Sequence, residues 1–188
     1  ANNAKGSAGI DQQTKIMPLQ VFSDNGAATT TDLVAAVEYA ADNGADVINL
    51  SLGANGYDAP LLEAICYAKN NGVVVVAASG NCALNDETFC NSLTGPGRMT
   101  YPALYPETIA VGATASNDLR ASFSSYGSAL DLVAPGGSIT PLPTFTSQNQ
   151  TSAYATASGT SFSAPLVSGV ASLLLAQKPD LTPDEIEF

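Results

Sequence analysis

Five strand-length apolar runs constrain this chain more than any other feature of its 188 residues: Lys15–Val21, Asp46–Leu52, Gly72–Ala78, Thr108–Ala113 and Asp131–Ala134. The middle runs are nearly continuous in Val, Ile, Leu and Ala. A strand with no polar side needs cover on both faces, which is the situation of strands in a parallel sheet. Helical patterns fill the gaps. Asp32 can cap a helix whose Leu33, Ala36, Val37, Ala40 and Ala41 share one face, with Gly44 ending it in the left-handed region. Pro60–Asn71 gives a second helix with Leu61, Leu62, Ile65, Cys66 and Ala68 turned inward and Gly72 closing it. Two successive βαβ units result, so the expected class is α/β with a mostly parallel, doubly wound sheet. Chemistry is then expected in the loops at the carboxyl ends of the strands.

The segments Asn81–Pro106 and Gly136–Tyr154 read as long irregular excursions, a common place for functional surfaces. Ser161–Gln177 is apolar almost all round and predicts a helix in the middle of the protein, with Pro165 tolerated in its first turn. Thr182-Pro183-Asp184-Glu185 starts a final helix.

The length suits one domain covering residues 1–188. A net charge of -11, with no histidine, argues against nucleic acid or an anionic membrane as partner. No stretch reaches the roughly 18 to 20 consecutive apolar residues of a membrane span, and no signal peptide is seen at the N-terminus. The start at Ala1 and the stop at Phe188 both read as cut ends. Cys82 and Cys90 flank a polar loop and suit a disulfide, which would stabilise the fold by about 2.5 kcal/mol in the chain-entropy view. Cys66 reads as buried, and an oxidising, extracellular setting follows from the pairing.

Three strand ends carry candidate chemistry. Ser161 lies where an extended segment meets the apolar helix, so its hydroxyl and nearby backbone N–H groups would share one small volume. A plain helix cap is the other reading of that residue. Asn81 follows the most apolar run and suits either a turn or a side-chain amide that donates to an oxyanion. Ser51-Leu52-Gly53 ends another run, and its small residues would let an extended peptide pair with the backbone.

The combination resembles the subtilisin-like serine proteases, or subtilases. The resemblance rests on Asp46–Gly53, Ala77–Asn81, Tyr101-Pro102-Ala103, Ile109–Ala113, Arg120–Gly127, Val133–Gly136 and Gly159-Thr160-Ser161-Phe162-Ser163-Ala164-Pro165, in family order. It implies a three-layer α/β sandwich and a secreted endopeptidase, with Ser161 as nucleophile and Asn81 as oxyanion donor beside the Ser161 N–H. Ser51, Leu52 and Gly53, with Ala78, Ser79 and Gly80, would clasp an extended polypeptide substrate and wall its main specificity pocket. The chemistry requires no cofactor. A structural calcium is also implied, with Asn3 as one ligand and a second site of carbonyls at Ala103, Tyr105 and Thr108 near Asp131. For Asp131 a hydrogen-bonded carboxylate at a strand start is the competing reading.

Subtilases carry their catalytic Asp and His before the region that aligns with Ala1, and neither is present. The chain by itself is therefore expected to be nearly inert, its base belonging to an N-terminal portion of the same domain. Two alternatives remain. An acid-active sedolisin would use a glutamate in place of histidine, and Glu38 and Asp42 have one-turn spacing. A non-catalytic peptide-binding or interaction domain would keep the groove without the base. An α/β-hydrolase is excluded, since the Gly-x-Ser-x-Gly elbow and a downstream histidine are both missing from the sequence.

Overall fold

The computed structural model describes residues 8–24, 26–84, 90, 97–141 and 154–187. In chain order these form helix α1 (Thr30–Asp42), strand β1 (Val47–Leu50), helix α2 (Ala59–Asn70), strands β2 (Val74–Ala78), β3 (Ile109–Thr114), β4 (Leu132–Pro135), β5 (Gly137–Pro141) and β6 (Tyr154–Ser158), and helices α3 (Thr160–Gln177) and α4 (Pro183–Glu187). Strands β1 to β4 lie side by side in sequence order, all parallel, with Val47 opposite Val74, Val76 opposite Ile109 and Val111 opposite Leu132. The expected α/β class is what the chain adopts.

Every residue of β2 is buried, because the strand serves two cores at once. Val75 and Ala77 point to the side of α1 and α2, where they join Val37, Leu61, Ile65 and Ala68. Val74, Val76 and Ala78 point to the other side and meet Ile109, Val111, Ala164 and Ala171 beneath α3. The period-two alternation of a strand thus assigns neighbouring residues to opposite cores.

Helix ends follow from backbone chemistry. Gly44 and Gly72 both take positive φ, +76° and +84°, just past α1 and α2, the left-handed exit that side chains disfavour. The N-cap of α1 is Thr29 and not Asp32: the Asp32 N–H donates to Thr29 Oγ1 at 3.2 Å, and the Thr29 hydroxyl donates back to the Asp32 carboxylate at 2.7 Å. Asp32 sits in the first turn, where its charge still suits the helix dipole. Asp58 caps α2 by accepting from the Leu61 N–H at 3.0 Å. Leu62 and Cys66, expected inward, are only half-buried.

Six further expectations fail. Lys15–Val21 is not a strand, and Ile16 is 81% exposed; an extended run has to pair its amides with a neighbour, and the segment has no sheet partner among the described residues. Only one of the two expected βαβ units, β1-α2-β2, is therefore present. The stretch after Gly136 is not irregular throughout, since β5 and β6 pair antiparallel from Gly137 opposite Ser158 to Pro141 opposite Tyr154. Helix α3 is not enclosed: Val170, Leu173 and Leu174 are 40–48% exposed. Its 18 residues, with mean hydropathy 1.2, also meet the length and composition of a membrane span, against the expectation that no segment does. Pro165 falls in its second turn and not its first.

Candidate active site

The carboxyl ends of β1 and β2 and the N-terminus of α3 meet at one place. A recess of about 110 Å³ is lined there by Leu52, Gly53, Ala78, Gly80, Asn81 and Ser161, together with Thr100, Thr160 and Cys82. Ser161 is the second residue of α3, after Gly159 at the N-cap. That helix start is fixed from two sides. The Gly159 N–H donates to Gly136 O at 2.8 Å, and the Ser163 hydroxyl donates to Ala134 O at 3.0 Å, so the end of β4 holds the first turn in place.

Thr160 sets the orientation of Asn81. Its N–H and its hydroxyl both donate to Asn81 Oδ1, at 2.9 and 3.0 Å, while its Oγ1 accepts from the Gly80 N–H at 3.2 Å. Two donors on one oxygen fix which end of the amide is which and leave Nδ2 as its remaining donor. The first-turn N–H groups of α3 add the partial positive charge of a helix N-terminus. An amide donor and a helix N-terminus on one recess are suited to stabilising a negative oxygen.

The remaining expected site residues are placed as follows. Ser79 is fully buried and does not line the recess; its hydroxyl donates to Ser125 O at 3.1 Å. Ser51 turns its hydroxyl to the Ser161 carbonyl, at 2.9 Å. Cys82 and Cys90 form a disulfide directly after Asn81, and Cys66 is a free thiol whose pKa is pushed up by burial and by the neighbouring Glu107. Glu38 and Asp42 are exposed on α1 and do not line the recess; Asp42 accepts from the Tyr67 hydroxyl at 2.6 Å.

Four of the residues expected near a calcium are among the described residues. Asp131, the only carboxylate among Ala103, Tyr105, Thr108 and Asp131, accepts from the Ala110 N–H at 2.7 Å, and Tyr105 O accepts from both the N–H and the hydroxyl of Thr108. Asp131 therefore behaves as the hydrogen-bonded carboxylate at a strand start. Among the described residues no group of three His, Cys, Asp or Glu side chains could hold a metal. Asn3 lies outside the described residues.

Two residues of the recess escape a reading from sequence. Thr160 is buried inside the motif around Ser161, and its hydroxyl is the signal that identifies it. Thr100 fills the space between two glycines: a Cβ on Gly53 would meet its Oγ1 at 2.5 Å, and one on Gly80 would meet its Cγ2 at 3.0 Å. A second hollow, of about 300 Å³, shares Leu52 and Gly53 with the recess and is walled by Phe22, Leu33, Tyr101 and Tyr105.

A serine at a buried helix start, facing an oriented amide at the carboxyl edge of a parallel sheet, defines the class. The chain belongs to the Subtilase family, which it matches over residues 1–187. It is 43% identical over 176 residues to a thermophilic serine proteinase of Bacillus sp. (strain AK1) and 42% identical over 176 residues to thermitase of Thermoactinomyces vulgaris, in each case across 94% of this chain. Among solved structures, a cold-adapted subtilisin-like serine proteinase superposes with a TM-score of 0.76 at 33% identity, covering 97% of this chain and 63% of that one. A protease from Pseudoalteromonas arctica superposes with 0.80 at 33% identity, covering 99% and 57%. The chain spans 39% of the length of the Bacillus relative and 57% of thermitase.

Proposed function

We propose that this chain is the nucleophile-bearing portion of a secreted serine endopeptidase that cleaves extended polypeptides by acyl transfer. Ser161 Oγ attacks the scissile carbonyl and loses its proton to a base, and the resulting oxyanion is held by Asn81 Nδ2 and the Ser161 N–H. The leaving amine takes that proton, and water then hydrolyses the acyl-serine. Ser51–Gly53 offers a backbone edge along which an extended substrate lies, and Ala78 and Gly80 wall the recess beside it. The observation that carries this reading is the placement of Ser161 and Asn81 on one recess, with the amide oxygen of Asn81 already engaged by Thr160.

The base is not a histidine of this chain, since the sequence has none. It comes from further subtilase sequence, for which the exposed apolar side of α3 and the edge of β1, which has no strand partner among the described residues, provide a place. The chain alone is then nearly inert. The disulfide after Asn81 supports an extracellular setting. A non-catalytic peptide-binding role is the second reading, and the missing histidine is the observation in its favour.

The test combines the chain with a histidine-bearing subtilase segment and follows cleavage of an unfolded protein. Turnover should appear, vanish in Ser161→Ala and fall by roughly 100- to 1000-fold in Asn81→Ala. Peptide binding with no turnover in any combination would favour the second reading.

A further inference from the structure

Ser51 does more than border the substrate edge. In α3 the carbonyl of Ser161 would ordinarily accept from the N–H four residues on, but that residue is Pro165, which has no N–H to give. The Ser51 hydroxyl takes that place, donating to Ser161 O at 2.9 Å. Ser51 Oγ in turn accepts from Asn49 Nδ2 at 2.9 Å, and Asn49 Oδ1 lies 3.1 Å from the Ser168 hydroxyl, whose single proton it shares with Ala164 O at 3.0 Å. Asn49 and Ser51 are two apart, so they share a side of the extended chain; Ser161 and Ser168 are seven apart, so they share a face of α3. The result is a closed clamp that ties α3 to the end of β1 at two points, one of them the carbonyl of Ser161 itself.

We infer that Ser51, Asn49 and Ser168 are positioning residues for Ser161, and that Pro165 makes the clamp possible by leaving the Ser161 carbonyl without its helical donor. The inference rests on Ser161 being the reactive residue. It links that residue to the backbone edge proposed to hold substrate, so the distance between nucleophile and scissile bond is set by side chains outside the reacting groups.

The experiment requires neither turnover nor a base. In a Ser161→Cys, Cys66→Ala background the thiol at position 161 is alkylated with iodoacetamide across a range of pH, while Cys82 and Cys90 stay joined. Adding Ser51→Ala should slow labelling at neutral pH about fivefold by raising the thiol's titration midpoint, the scale on which an ordered helix N-terminus stabilises an anion. Ser51→Thr, which keeps the hydroxyl, should restore the rate. Pro165→Ala supplies a competing N–H, so in that background Ser51→Ala should have little further effect. Equal labelling of the Ser51→Ala and parent proteins would overturn the inference, as would a full, additive loss in the Pro165→Ala background. Circular dichroism of each variant separates lost positioning from lost folding. Because alkylation proceeds without catalysis, the expected labelling pattern together with no cleavage by the Ser161 parent even when a histidine-bearing subtilase segment is supplied would count against the protease reading and leave the clamp standing.

Discussion

The two faces of the β1–β4 sheet are finished to different degrees. On the side of α1 and α2 the core is closed: Ile65 and Ala68 have no exposure, and the two helices cover Val75 and Ala77 completely. On the other side α3 seals Val74, Val76 and Val111 but leaves Val170, Leu173 and Leu174 in solvent, with the segment around Ile10 and Asp11 lying along part of it among the described residues. One face is closed by its own helices, and the other carries Ser161, the proposed nucleophile. The site therefore sits where the fold offers apolar surface for further cover, consistent with a recess completed by more of the subtilase domain.

Several substitutions would break or sharpen this contrast. The largest effect is expected on the closed face, where Ile65→Ala should cost about 2–5 kcal/mol in denaturant unfolding, because a fully buried side chain leaves a cavity. A smaller loss would mean that this face is looser than its burial indicates. Asp131→Ala should cost about 1–3 kcal/mol by leaving the Ala110 N–H unpaired at the β3–β4 edge, equally with calcium and with chelator. A loss confined to calcium-containing buffer would assign Asp131 to a cation site. Leu174→Ser, on the open face, should change stability by no more than about 0.5 kcal/mol in the chain alone. The same change should cost more once a histidine-bearing segment is bound, and equal costs would place that segment elsewhere.

The smallest effect concerns pH. Hydrogen bonds from Thr14, the Gln13 N–H and Ser172 hold the Asp11 carboxyl well below the usual carboxylate range. A group whose folded pKa is depressed contributes stability above its unfolded pKa, about 3.9, and loses it as pH falls toward the folded value. Asp11→Asn should accordingly lower stability near neutrality and flatten the profile below about pH 4, where the parent loses the same contribution. An unaltered acid limb would show that Asp11 does not secure the 10–14 segment to α3.

What could be read from the sequence was what depends on neighbours in the chain. The Val73–Ala78 run announces a strand covered on both sides, Gly44 and Gly72 mark helix ends, and the apolar pattern after Ser161 places that serine at a helix start. What could not be read depends on partners far away. Lys15–Val21 has strand composition, but a strand exists only beside another, and its neighbour is not among the described residues. The apolarity of α3 reports that the helix prefers burial, and says nothing of what buries it. The β5–β6 pair hides in a polar, proline-containing stretch because its order comes from cross-strand hydrogen bonds. Thr29 displaced Asp32 as the cap of α1 because both residue types suit the position and only backbone angles choose between them. Thr100 and the carbonyl partner of Ser51 were invisible for the same reason, since each contact joins segments remote in sequence.

That remoteness has a kinetic consequence. Ser51 and Ser161 are 110 residues apart in the chain, and Asn81 and Thr160 are 79 apart. Parallel pairing with such long closures is slow relative to local helix formation. The recess is thus expected to close after local helices have formed, so that its shape depends on the whole sheet having taken its register.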